Sequence, residues 1–421
     1  MFNVEQSGHG PRARDLGVPF DGTPGAWNAI TDVPGLEVGL LTLASDAPVV
    51  ARTGVTAILP RGKAGAGSPC AAGIAVLNGN GELTGRSWIE ESGQLQAPIA
   101  ITNSHAVGAV HRGIDEWMAA HHAATAAAWM LPVVGETWDG YLNSINADIV
   151  QPEHAARALD GAATGPVPEG NVGGGTGMNC YGFKGGTGTA SRVVGSGEQS
   201  WTVGVLLQAN FGSRNELRVL GRPLGRESQA PNTMETDDWF QRDLAAGADG
   251  GSSGGGTNTL AEPSSHARAG STSGAGSTSG AGSTSGAGSH SRATPGAGSV
   301  IVIVATDAPL LPDQCRALAR RVPLGLARTG TTGSHFSGDI FLAFSTANSG
   351  GMSSRMGGDT VVTEKLEHVA WGSIDPFFAA VVEATEEAVV NALVAARDTI
   401  GRDGHESFAL PHEEVRAAFT P

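Results

Sequence analysis

The stretch GSVIVIVATD, residues 298–307, decides the reading of the fold. A continuous β-branched run of this kind, with no polar residue on alternate positions, suits a strand buried on both faces. Such a strand needs a layer of structure on each side, so the chain reads as mixed α and β. Immediately before it the composition is the opposite. From 246 the sequence runs AGADGGSSGGGTN into three exact copies of STSGAG at 271–288, with almost no bulky apolar residue before Val300. A segment without apolar side chains buries too little surface to offset its ordering entropy, so 246–298 reads as a flexible linker. It is no solenoid either, because its repeat carries no core residue.

Outward from this junction, two ordered segments are expected, one up to 245 and one over 299–421. In the first, apolar or alternating runs at 35–43, 55–59, 99–102 and 202–208 read as strands. Between them, 104–122 places Val107, Val110, Ile114, Trp117 and Met118 near helical spacing. In the second, a helix over 312–321 follows the buried strand, and DIFLAFS, 339–345, is a further strand. The clearest helix runs over 375–397: Asp375 as cap, Pro376 in the first turn, a stripe of Phe378, Val381, Val382, Val389 and Leu393, and Gly401 beyond its end.

The whole chain has 421 residues, 26 Lys+Arg against 41 Asp+Glu, a net charge of −15 and 40% hydrophobic residues. That is ample material for a core. Without a basic block there is nothing to displace the counterions of nucleic acid or to dock on an anionic membrane. No run reaches the ~20 apolar residues of a membrane span, and residues 1–30 lack the apolar core of a signal peptide, so a cytoplasmic protein is expected. Cys70, Cys180 and Cys315 are too few and too scattered for a disulfide framework or a zinc site and read as buried thiols. Twelve histidines contain no His-x-x-x-His pair, and no metal is expected.

Two motifs mislead. The Gly-x-Ser-x-Gly at 251–255 lies inside the linker, without the strand and helix a nucleophile elbow requires. The loop GNVGGGTGMNCYGFKGGTGT, 170–189, has no Gly-Lys-Ser/Thr and no Gly-x-Gly-x-x-Gly opening a helix, so it is not a phosphate cradle.

What survives is the junction itself. Ala-Gly-Ser recurs along the chain, but only at 297–299 does it abut a strand that would fix its serine. Attack of the Ser299 hydroxyl on the preceding carbonyl would cut the chain between Gly298 and Ser299. The freed α-amine, with an ordinary pKa of ~7.7–8, would then serve as general base for its own hydroxyl.

Longer stretches carry a resemblance. RARDLGVPFDGTPGAWNAITDVPGLEVG (12–39), IAITNSHAVGAVHRGIDEW (99–117), PVVGETWDGYLN (132–143), the glycine-rich loop within 170–192, VGVLLQANFG (203–212), GSVIVIVATDAPLLPDQCRALARRVPLGLARTG (298–330) and SGDIFLAFSTAN (337–348) resemble, in order and spacing, the L-aminopeptidase D-Ala-esterase/amidases and β-peptidyl aminopeptidases. These are self-processing serine peptidases. The resemblance implies a four-layer α-β-β-α sandwich like that of N-terminal nucleophile hydrolases, with different connectivity, and two chains, 1–298 and 299–421, joined in one domain.

By the same resemblance Ser299 is the nucleophile, and Ser337 and Asp339 orient or assist it, although family members also carry Glu at the second position. Asn210 stabilises the oxyanion, helped by close backbone approach of the loop from Gly173 to Gly177, Gly174 and Gly175 in particular. Glu136 receives the free amino group of the substrate, and Tyr141 or Trp138 completes the pocket. The implied substrate is a small peptide or an amino-acid amide or ester, with no metal or organic cofactor and a homo-oligomer of αβ units. Two other readings compete: an acyltransferase like ornithine acetyltransferase, which expects a threonine nucleophile, and a non-catalytic binding module if the chain stays whole.

Overall fold

Alternate side chains of the central strand face different layers, and this fixes the architecture. In the computed structural model, which describes residues 10–197, 199–250, 298–354 and 360–420, the strand spans Ser299–Thr306 and every residue of it is buried. Val300, Val302 and Val304 join the cluster that contains Phe377, Val381, Ala384 and Ala388 of a long helix. Ile301, Ile303 and Ala305 join Ile58, Ile99, Ile101 and Val133 of a second sheet. Period-two alternation thus splits one apolar run between a helix layer and a facing sheet.

The first sheet orders β1 (Glu37–Ser45), β2 (Ala51–Leu59), β5 (Ile99–Asn103) and β6 (Val133–Thr137). The second orders β4 (Gln94–Leu95), β3 (Cys70–Gly79), β10 (Gly338–Ser345), β9 (Ser299–Thr306), β8 (Gln199–Asn210) and β7 (Gly186–Ser196). Helices α1 (Val107–His121) and α2 (Pro152–Asp160) cover the outer face of the first sheet through Val110, Ile114, Trp117 and Leu159. Helices α3 (Pro312–Ala319), α4 (Val322–Arg328) and α5 (Asp375–Val394) cover the second. The layers run helix, sheet, sheet, helix, as the resemblance implied. β9 pairs with β10 in parallel, the connection between them including α3 and α4, and with β8 antiparallel.

Most expected elements are present within a few residues. The long helix differs in detail: Ile374 holds the cap position, and Asp375 sits in the first turn, where its charge still favours the helix N-terminus. Its buried face includes Phe377, while Phe378 is half-exposed. The rotation follows from close approach, since a methyl on Gly188 of β7 would lie 2.0 Å from the Ala388 carbonyl. The helix ends at Val394, and Gly401 packs instead against the backbone of Leu142. Strands β3 and β7 escaped the sequence reading because they are rich in Ala, Gly, Ser and Thr. Gly73 in β3 would place a methyl 2.3 Å from the backbone of Arg316 in α3, so smallness there is a packing requirement.

The described residues up to Thr236 and from Gly298 onward form one compact unit; the described residues 237–250 group separately and contain a helix, Trp239–Gly250. The remainder of the expected linker, 251–297, with its Gly-x-Ser-x-Gly match and repeats, lies outside the described residues. The three cysteines are free and buried, and burial pushes the Cys70 thiol up to about 11. No helix among the described residues is long and apolar enough to cross a membrane.

Ile303→Ala, which deletes a fully buried side chain between the two sheets, is expected to cost about 2–5 kcal/mol, read as a lowered denaturant midpoint at unchanged m.

Candidate active site

Strand register gathers the candidate residues at one end of the second sheet. Ser299 opens β9; its lateral partners are Asn210, the last residue of β8, and Gly338, the first of β10. One residue on, Val300 pairs with Asp339, which pairs in turn with Asn78 of β3 across a register irregularity. Such irregularities re-aim side chains at strand ends. Ser299, Asn210, Ser337 and Asp339 are all buried.

The acid side of the site is a hydrogen-bonded set. Ser337 Oγ donates to Asp339 Oδ1 at 2.5 Å, and Asn78 Nδ2 donates to Asp339 Oδ2 at 3.0 Å. Burial raises Asp339 above the usual carboxylate range, against the pull of these two donors. With its proton directed at Asp339, Ser337 presents oxygen lone pairs elsewhere, as an acceptor.

On the other side, Asn210 is clamped at both ends of its amide. Its Oδ1 accepts the Asn179 N–H at 2.8 Å, and its Nδ2 donates to the Trp138 carbonyl at 2.9 Å. Each Nδ2 carries two protons, so one donor position is still available. The Trp138 carbonyl follows β6, so this contact also ties the sheets together. Gln208 does the same, its Nε2 donating to the Thr102 carbonyl and to Thr137 Oγ1.

Gly298 leaves no room for a side chain, since a methyl there would lie 1.9 Å from the Asn210 carbonyl oxygen. Its own carbonyl accepts the Gly338 N–H at 3.1 Å. The peptide before Ser299 is therefore held from both neighbouring strands.

Glu136, in β6, is brought to the same end of the sandwich. A methyl on Gly81 would lie 3.1 Å from Gly338 Cα and 3.3 Å from Glu136 Oε1, so only a glycine's width separates the carboxylate from the strand pair of Ser299. The carboxylate is buried, with Oε1 accepting the Glu82 N–H at 2.9 Å and Oε2 accepting the Ser104 hydroxyl.

The remaining expected residues are placed differently. Tyr141 is fully buried, its ring stacked on His405 at 4.8 Å and its hydroxyl within hydrogen-bond distance of Thr233 Oγ1 and of the Glu406 carbonyl. The glycine loop is a packing device: Gly174 donates its N–H to Thr56, Gly175 donates to the Val172 carbonyl, and a methyl on Gly174 would lie 2.2 Å from Gln208 Oε1. Those two amides are spent inside the protein, whereas Asn210 pairs directly with Ser299 across the sheet. Sequence reasoning singled out neither Asn78 nor Ser104, although both stand in polar runs at strand ends, LNGNGE and ITNSH. Among the described residues no group of three His, Cys, Asp or Glu side chains is placed to hold a metal.

Against this geometry, the comparisons with known proteins are decisive. Residues 28–407 match the model of peptidase family S58. The chain belongs to this family. It is 46% identical over 98% of its length to a β-peptidyl aminopeptidase of Sphingosinicella microcystinivorans, covering 92% of that protein, and 40% identical over 96% to one of Sphingosinicella xenopeptidilytica, covering 90%. Among solved structures it resembles a Burkholderia sp. β-aminopeptidase at TM-score 0.77 and 42% identity, covering 97% of this chain and 98% of that one. It also resembles the L-aminopeptidase D-Ala-esterase/amidase of Ochrobactrum anthropi, described as a prototype of the serine aminopeptidases and a variant of the Ntn hydrolase fold, at TM-score 0.77 and 40% identity with 97% of each chain covered. As a member of family S58 the chain is a hydrolase of the serine aminopeptidase kind.

One acid beside these residues is pushed toward neutral pH by burial. Asp139, next to Trp138, is fully buried; desolvation pushes it up to about 7, opposed by Thr53, Asn143 and Asn103. The folded state thus holds a proton that the unfolded chain releases near pH 3.9, and stability falls as pH rises from about 4 through about 7. Asp139→Asn is expected to flatten that decline in melting temperature, measured from pH 4 to 8.

Proposed function

We propose that this protein activates itself by cutting between Gly298 and Ser299 and then acts as an N-terminal-nucleophile aminopeptidase on peptides, amides or esters that carry a free amino group. The observation that carries the reading is the place of Ser299: first residue of the most buried strand, with Asn210 on one side and Gly338 and Asp339 on the other.

In the first reaction Ser299 Oγ adds to the Gly298 carbonyl carbon, whose oxygen already accepts the Gly338 N–H. The C–N bond breaks, the acyl group moves to oxygen and the Ser299 nitrogen leaves as an amine. Water then hydrolyses the ester to the Gly298 carboxylate and regenerates the hydroxyl.

In the second reaction the new α-amine takes the proton of its own hydroxyl as Oγ attacks the substrate acyl carbon. Ser337, polarised by Asp339, is the acceptor that steadies the amine. The free proton of Asn210 Nδ2 meets the developing oxyanion, a contact of the kind worth ~3–4 kcal/mol. Glu136, each of whose oxygens already accepts one hydrogen bond that fixes its orientation, receives the substrate ammonium, which selects acyl groups with a free amine. Collapse expels the amine or alcohol, and water releases the acyl-enzyme. Trp138 contributes its backbone carbonyl, which fixes Asn210, and Tyr141, buried with its ring on His405, braces the same loop from behind.

Family assembly as oligomers of αβ units extends to this protein in the same reading. The exposed Trp371, Val362 and Leu324 supply apolar surface for it.

Intact mass under denaturing conditions tests the first step. The purified protein is expected as two fragments, residues 1–298 and 299–421, together accounting for the 42.5 kDa chain, the smaller beginning at Ser299; Ser299→Ala is expected as a single inactive chain. An uncut, inactive wild-type protein would sink the reading. For the second step, Glu136→Gln is expected to raise KM for amino-acid p-nitroanilides roughly 10–100-fold, the worth of one charged hydrogen bond, with a much smaller change in kcat. An unchanged KM would remove Glu136 from substrate binding.

A further inference from the structure

Lys184 is fully buried, yet among the described residues no carboxylate lies within ion-pair distance of it. Its Nζ donates only to backbone carbonyls: Met178 at 2.7 Å, Gly185 at 2.9 Å and Gly175 at 3.4 Å. Carrying an amine into the interior is expensive, and burial draws Lys184 down to about 7, with Cys180 and Asp139 opposing. A loop whose only need was to satisfy three carbonyls could do so with water or amide donors at lower cost.

The position of one of those carbonyls suggests what the charge does. Met178 O and Asn179 N belong to the same peptide unit, and the Asn179 N–H is the donor to Asn210 Oδ1. A short hairpin, in which Asn179 pairs with Lys184 and Cys180 with Phe183, folds the lysine back beneath that peptide. We propose that Lys184 is a positioning residue for Asn210, acting through the Met178–Asn179 peptide. The inference rests on the reading of Asn210 as oxyanion donor.

Two physical effects follow from the arrangement. An amine N–H donated to the carbonyl oxygen, most strongly when the lysine is protonated, withdraws electron density through the amide and strengthens the N–H as a donor; hydrogen bonds in such chains reinforce one another by ~10–30% each. The same polarisation passes through the Asn210 amide from Oδ1 to Nδ2. The second effect is orientation. A flipped Asn210 amide would point an oxygen at the oxyanion, and the flip is blocked because Asn179 N–H faces Oδ1 while the Trp138 carbonyl faces Nδ2. Lys184 holds the first of these two guards in place.

The test is a double-mutant cycle of Lys184→Met and Asn210→Ala, with Lys184→Gln as a second variant that keeps donors without the charge. kcat and KM on an amino-acid p-nitroanilide are normalised to processed, folded protein by intact mass and thermal melting. Lys184→Met is expected to lower kcat by about 10–100-fold with KM within about threefold, and Lys184→Gln by less; in the Asn210→Ala background the lysine change is expected to cost no more than about twofold, because residues acting as a unit are not additive. Both variants are expected to cut themselves, since the Gly298 carbonyl is held by Gly338 and not by Asn210.

Wild-type kcat in Lys184→Met, an undiminished loss in the Asn210→Ala background, an uncut variant, or a loss that tracks the unfolded fraction up to complete failure to fold would each overturn the proposal. If Asn210→Ala alone left kcat unchanged, the oxyanion reading would fall first; if it lowered kcat while the lysine effect stayed additive, only the role of Lys184 would fall.

Discussion

The rest of the molecule depends on one strand being buried on both faces with its first residue at the rim. Eight consecutive residues, Ser299–Thr306, are excluded from water, so every backbone N–H and C=O in the run must find a partner in β8 or β10. That obligation locks the register. Once Val300 through Thr306 are paired, Ser299 has no freedom either: it faces Asn210 on one side and Gly338 on the other. Side-chain alternation settles the layers, valines outward to the helices and isoleucines inward to the first sheet. The demands of core formation and the placement of the nucleophile are thus met by the same ladder.

Polar groups in the interior divide into two kinds. Arg192, Arg14 and Asn28 converge on Glu387 of α5, with Arg192 Nη2 and Arg14 Nε each 2.8 Å from its carboxylate. Burial alone would raise Glu387, but the two guanidiniums outweigh it and leave it below its ordinary value. That set fastens the N-terminal segment to the helix layer, and Arg192 reaches Glu383 of the same helix as well. Around Ser299 the pattern differs. Asn210 is fixed by one donor and one acceptor, and Asp339 and Glu136 by donors on both carboxylate oxygens, and strand pairing and the facing of the sheets bring all three near the start of β9.

Much of this was legible in the residues. The β-branched run, the helix read over 375–397 and the strand read over 339–345 announced themselves by period and composition, and the junction at Gly298 and Ser299 by a change of composition. β3 and β7 did not, because their Gly and Ala residues answer to the approach of α3 and α5, which a local window does not contain. The site was less legible. Tyr141 carries its hydroxyl to Glu406, and the glycine loop turns its amides to Thr56 and Val172, because each lies between layers whose contacts are distant in sequence. Asn78 and Ser104 drew no attention because an Asn or Ser at a strand end is ordinary until its partner is known.

What the sequence determined by itself is the alternation that makes a buried strand, the serine at its head and the family resemblance of the segments around it, since these are properties of neighbouring residues. What only the tertiary structure decided is which polar groups meet there. Asn210 and Ser299 are joined by strand pairing, Glu136 is brought in by the facing of two sheets, and Lys184 reaches Met178 by a hairpin turning back on itself. Those meetings are set by register and layer spacing, which the chain fixes only when the whole core has closed.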